Sequence, residues 1–213
     1  MRISSKLLVV SRLSGPRSGK DVGRTDRVSP ELMALKWRHA GQACITANRV
    51  YVQKGVYQKF ADIIAQKTKE FKIGHGAEKG VTLGPVTTPR SLDKAEEQIA
   101  DAKKHGGQIM MGGNKLHGSK GYDGYFFEPT IITGAKGEML ITREETFAPI
   151  MALYEFDTED EVVQKANDTS MGLASCKYYT IPCWSCIVLI ATQTSSLRTS
   201  TAHGDCLRIS RLA

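Results

Sequence analysis

One cysteine in the middle of the chain stands where a thiol could do chemistry. The stretch Lys36–Arg49, KWRHAGQACITANR, sets Cys44 directly after Gly-Gln-Ala and puts Arg38 six residues ahead of it. A thiol is a useful nucleophile as its thiolate, and a loop position near backbone N–H groups favours that form. The same residue in a core is simply a small hydrophobe, and taken alone the stretch leaves both readings open. About a hundred residues on, EETFAP (Glu144–Pro149) offers two adjacent carboxylates and Phe147. These are either a polar site loop or a solvated acidic pair beside a core aromatic. A third constellation lies near the C-terminus: Cys183-x2-Cys186 and His203-x2-Cys206, sixteen residues apart, have the spacing of two zinc knuckles. The knuckle glycines and flanking β pattern are missing there, and PCWSC lacks the preceding strand of a thioredoxin-like redox unit, so no metal or redox site is assigned.

The elements that must position these residues alternate between strand and helix. ELMALKWRHA is rich in helix formers and Gly41 stops it, which leaves Cys44 in a loop just past a helix end. RVYVQ (Arg49–Gln53) reads as a strand. Val56, Phe60, Ile63 and Ile64 recur at helical spacing and predict an amphipathic helix reaching about Phe71. LGPVTTPR (Leu83–Arg90) is punctuated as a loop, after which Leu92, Ala95, Ile99 and Ala102 form one face of a second helix, ended by His105-Gly106-Gly107. QIMM (Gln108–Met111), YFFEPTII (Tyr125–Ile132) and PIMALYEF (Pro149–Phe156) read as strands. Thr158 and Glu161 make a capping box for a following helix. Strand alternating with helix points to an α/β domain with a largely parallel sheet flanked by helices.

The flanks have a different texture. The net charge is +7 over 213 residues, but residues 1–30 carry seven basic and two acidic side chains and residues 175–213 four and one, so the middle is close to neutral at −1. A nucleic-acid surface on the folded body needs clustered cations that the middle does not have. No apolar run approaches the length of a membrane span. A lone cysteine in the domain-sized middle fits a reducing compartment. The sequence therefore divides into a basic extension without a core, expected to be disordered (1–30), a domain (31–175), and a Ser/Thr-rich, Cys-containing tail (176–213) that shows no helix period or strand-turn rhythm and is expected to be disordered or out of frame. The expected location is cytoplasmic, and the Arg- and Ser-rich start is also the composition of a mitochondrial transit peptide.

The two central motifs together carry a resemblance. Trp37–Arg49, with its G-Q-x-C core, resembles the active-site cysteine segment of the aldehyde dehydrogenase superfamily, and EETFAP resembles that family's E-E-x-F-G-P cofactor segment, in the family's order and spacing. LGPV and GYFFEPTII between them look familial, so the likeness covers about residues 31–175. The K-W-R-H-A-G-Q run is similar to the branch that oxidises succinic semialdehyde. The resemblance implies a catalytic-domain-like fold, a small aldehyde as substrate and NAD or NADP as cofactor. It also implies Cys44 as nucleophile, Arg38 as anchor for the substrate carboxylate, Glu145 on the nicotinamide-side ribose and Phe147 beside the nicotinamide. A planar guanidinium suits the carboxylate role because it can grip both oxygens at a fixed distance. On its own, Arg38 could equally be a solvated residue in a helix's last turn.

Other family features have no counterpart: the G-x-x-x-x-G phosphate turn, the E-L-G-G base, the P-F-G-G segment and the oligomerisation strand through which family members form homo-oligomers. Ala148 replaces a usual glycine. The expectation is a partial catalytic domain whose cofactor-binding domain is missing, and whose activity in isolation is in doubt. The rival class is an inactive remnant or a half-domain that binds a partner.

Overall fold

The computed structural model describes residues 7–11, 32–44, 46–116, 123–169, 175–179 and 187–189. Seven strands, β1 (Leu7–Ser11), β2 (Arg49–Gln53), β3 (Gln108–Met111), β4 (Thr130–Thr133), β5 (Ile150–Phe156), β6 (Ser175–Tyr179) and β7 (Ile187–Leu189), form one sheet in the order β3-β4-β5-β2-β1-β6-β7. The five inner strands β4, β5, β2, β1 and β6 are mutually parallel, and the edges β3 and β7 run antiparallel to their neighbours. The expected α/β class with a largely parallel sheet is what the chain adopts. The helices are α1 (32–37), α2 (Tyr57–Thr68), α3 (Pro89–Lys104), α4 (Leu140–Arg143) and α5 (Glu159–Asn167).

Central β2 and β5 are almost wholly buried, as near-continuous apolar runs in a parallel sheet should be. The predicted face of α3 is the buried one: Leu92, Ala95, Ile99 and Ala102 are each at most 4% exposed. Thr158 caps α5 by accepting from the Glu161 N–H at 3.2 Å, while the Glu161 carboxylate accepts from the Asp157 N–H rather than from the cap residue's own. Thr158→Ala should cost about 1 kcal/mol, read as a lower urea midpoint at unchanged slope.

Four expectations change. The α-helix over 31–40 stops at 37 and continues as a 3₁₀ turn, Arg38–Gly41, in which His39 and Ala40 have positive φ of 52° and Gly41 of 76°. The strand expected over Tyr125–Ile132 is broken at Pro129, which has no N–H to give the ladder. Residues 126–128 instead pair with 114–116, and β4 begins only at Thr130. Helix α3 starts at Pro89, inside the stretch read as loop, with the proline at its first turn where a missing N–H costs nothing. Finally, Leu7–Ser11, assigned by composition to a coreless extension, lies in register between β2 and β6, and the tail supplies β6 and β7. Composition averaged over thirty residues hides an LLVV run of the kind a central parallel strand uses. Among the described residues, no helix is long and apolar enough to cross a membrane.

Candidate active site

The cysteine loop is pinned at both ends. On α1, Lys36 is fully buried and donates to Asn48 Oδ1 at 3.3 Å, tying the residue before Trp37 to the one before β2. Trp37 is 2% exposed, its indole N–H directed at Met33 Sδ. At the far end, Arg49 is 2% exposed, and its guanidinium donates to the Lys165 and Ala166 carbonyls at the end of α5, where a cation is favoured by the helix dipole. Between these anchors the chain makes the left-handed turn at 39–41. A second turn, Ala43 to Thr46, is closed by Thr46 N–H to Ala43 O at 2.9 Å and Ala43 N–H to Thr46 Oγ1 at 3.3 Å.

Cys44 lies in that second turn as an exposed free thiol. The reading of it as a small buried hydrophobe is therefore excluded. The backbone of Arg38 opens the 3₁₀ turn, past the end of the α-helix.

The second motif reaches the same place from the other side of the sequence. Glu144–Pro149 joins α4 to β5, with Glu144 exposed, Glu145 and Phe147 half-buried and Thr146 2% exposed. One polar stripe of α3 grips it. Lys94 pairs with Glu144 at 3.1 Å, Gln98 Oε1 accepts from the Thr146 hydroxyl at 2.7 Å, and Asp101 accepts from the Leu140 N–H at the start of α4 at 2.7 Å. Positions 94, 98 and 101 lie one above the other on a helix, which is why one element can hold two points of the loop and the start of α4 before it. From β5, the Tyr154 hydroxyl pairs with Thr142 on α4, and burial pushes the Tyr154 pKa upward, so it stays a neutral hydrogen-bonding group.

The two motifs meet at Gly41. A Cβ built there would lie 2.8 Å from the Ala148 carbonyl carbon and closer still to its oxygen, so only glycine permits this approach. The turn leading to Cys44 is thus packed directly on the backbone that follows Phe147.

The residues to which sequence reasoning gave no role are the ones that hold this arrangement. Gln42 stands inside the quoted G-Q-x-C core and Thr146 inside EETFAP. Gln98 carried a signal, being a glutamine that falls among the apolar positions Ala95, Ile99 and Ala102. It is fully buried, and its Nε2 has no hydrogen-bond partner among the described residues. Thr146→Val would leave the other end of that amide unpaired too, and should cost roughly 1–3 kcal/mol by urea unfolding, with Thr146→Ser retaining most of the stability. An open depression of about 510 Å³ is lined by His39, Ala40, Gln42, Gly84, Pro85 and Thr87. Cys44, Glu145 and Phe147 do not line it. Among the described residues no group of His, Cys, Asp or Glu could hold a metal; Cys183, Cys186, His203 and Cys206 lie outside the described residues.

Residues 20–178 match the family model described as aldehyde dehydrogenase family. The chain is 44% identical over 149 residues to succinate-semialdehyde dehydrogenase NADP(+) 1 of Schizosaccharomyces pombe, an alignment covering 70% of this chain and 29% of that protein. It is 43% identical over 146 residues to the 3-sulfolactaldehyde dehydrogenase of Pseudomonas putida, covering 68% and 29%. The crystal structure of succinate-semialdehyde dehydrogenase from Burkholderia pseudomallei superposes with a TM-score of 0.72 at 36% identity, over 82% of this chain and 34% of that one. The chain spans about a third of the length of the relatives it matches.

Proposed function

The chain belongs to the aldehyde dehydrogenase family, and from that premise we propose that it carries the nucleophile-bearing part of an oxidoreductase that converts succinic semialdehyde to succinate with NAD or NADP. The observation that carries this reading is the packing of Gly41 on Ala148, which brings the loop of an exposed thiol to the loop of Glu145 and Phe147. Relatives named for succinate semialdehyde and 3-sulfolactaldehyde share a substrate pattern, an aldehyde with an anionic tail. Arg38, six residues before the thiol, is the cation we assign to that tail.

The residues of the second loop fit the ribose and nicotinamide end of the cofactor by their chemistry. The Glu145 carboxylate can accept from ribose hydroxyls and the Phe147 ring can cover one face of a flat heterocycle. When bound, the cofactor supplies the hydride acceptor. The protein's own steps are these. The Cys44 thiolate adds to the aldehyde carbon, forming a C–S bond and an oxyanion, which the Cys44 backbone N–H helps stabilise. Collapse of that oxyanion expels hydride and leaves a thioester on Cys44. Water then cleaves the C–S bond, releasing succinate and restoring the thiol. Arg38 holds the remote carboxylate throughout, fixing the carbonyl relative to sulfur.

Limited alkylation with iodoacetamide tests the assignment. Cys44 should label at least about tenfold faster than the other four cysteines and be protected by succinic semialdehyde; equal rates without protection would sink it. A second reading, a non-catalytic half-domain that binds an intact homologue, is favoured by the share of the relatives' length that the chain spans. Calorimetric titration with NAD⁺ and NADP⁺ separates the two, since saturable binding supports the enzyme and its absence supports the half-domain.

A further inference from the structure

We propose that Gln42 is a positioning residue for the Cys44 thiol, an inference that rests on reading Cys44 as the nucleophile. Every polar end of its side chain is committed. The amide Nε2 donates to the His39 carbonyl at 2.9 Å and to the Pro85 carbonyl at 3.4 Å, while Oε1 accepts from both the backbone N–H and the hydroxyl of Thr87, at 2.8 and 2.9 Å. The first of these bonds reinforces the one from the Gln42 backbone N–H to the same carbonyl, at 3.0 Å, that closes the left-handed run. His39 and Ala40 hold positive φ of 52°, a left-handed conformation that is strained for an L-residue and persists only where the surroundings over-determine it.

The other three bonds fasten that strained run to residues 85–87, immediately before α3. The clamp therefore links three things through one amide: the left-handed turn, the Ala43–Thr46 turn that starts at the next residue, and the helix whose Lys94 and Gln98 hold the Glu144–Pro149 loop. Glutamine is the residue that can do this. Glutamate accepts from Thr87 but has no proton for two carbonyls, asparagine is one methylene short, and leucine fills the space with no hydrogen bond at all.

The test compares the parent with Gln42→Leu and Gln42→Glu. Amide exchange is followed at 39–46, 84–88 and α2, and Cys44 alkylation is measured with the anionic iodoacetate and the neutral iodoacetamide. The ratio of the two rates reports how well the thiol is registered against Arg38, the cation that the proposed reading assigns to the anionic tail, which a change in overall stability does not mimic. In the parent the ratio should exceed that of free cysteine severalfold. In Gln42→Leu, exchange at 39–46 and 84–88 should rise about tenfold with α2 unchanged and the ratio should fall to the free-cysteine value, while Gln42→Glu lies between. Parent-like exchange and ratio in Gln42→Leu would overturn the positioning role. A parent ratio already equal to that of free cysteine would instead defeat the anchored-nucleophile reading, so the two failures are distinct.

Discussion

On the proposed reading of Cys44 as nucleophile, Cys44→Ser should lower succinic semialdehyde oxidation by roughly 10³-fold or more while moving the unfolding free energy by no more than about 0.5 kcal/mol. The chemical half follows from the nucleophile. A hydroxyl is a far weaker nucleophile than a thiol, and the nearest histidine in sequence, His39, is exposed five residues before Cys44 within the left-handed turn. The stability half follows from exposure, since an exposed sulfur contributes little packing that oxygen could lose. Steady-state production of reduced cofactor by the parent and the serine variant, alongside urea unfolding, checks the two halves at once. Loss of activity with intact folding identifies Cys44 as chemical, whereas equal turnover by the serine variant would remove the covalent mechanism.

Gly41→Ala should do the reverse of a clean chemical knockout and strike the fold. The position has φ of 76°, a conformation that costs alanine about 1 kcal/mol, and the added methyl would overlap the Ala148 carbonyl. That carbonyl belongs to the motif itself, two residues before β5 begins, and accepts from the Ile150 N–H at 2.8 Å, so it cannot swing aside without disturbing the start of a central strand. A total cost of roughly 2–4 kcal/mol is expected, a large share of the 5–15 kcal/mol typical of a domain. Urea unfolding with the slope held constant gives the number. A cost below about 0.5 kcal/mol would mean that the two motifs do not pack as described, and would remove the observation on which the functional reading depends. The two variants should therefore contrast: the exposed cysteine should be dispensable to the fold, and the glycine three residues earlier should not.

Local pattern carried much of this architecture. The runs RVYVQ, QIMM and PIMALYEF became β2, β3 and β5 within a residue because β-branched and aromatic side chains bounded by glycine or a turn have few other ways to bury themselves. The α3 face was legible for the same reason, its apolar residues recurring at helical spacing. Thr158 before Glu161 announced the start of α5 through a bond between near neighbours. The misplaced elements were those in which a local cue was outweighed. Helix formers up to Ala40 favour continuing α1, but Gly41 must meet Ala148, and the chain turns left-handed at His39 to reach it.

The candidate site divides along the same line. By itself the sequence determined which residues have chemistry to offer: a thiol beside a Gly-Gln turn, an arginine six residues before it, and an acidic-aromatic motif about a hundred residues away. Those are properties of side-chain type and order, which no fold can alter. Only the tertiary structure decided that the thiol is exposed, that the two motifs share a backbone contact at Gly41 and Ala148, and that Gln42, Gln98 and Thr146 hold them there. The physical reason is that hydrogen bonds spanning 45 and 48 residues leave no periodic trace in a chain. A glutamine that clamps two loops and one that merely faces water are written with the same letter, and packing alone tells them apart.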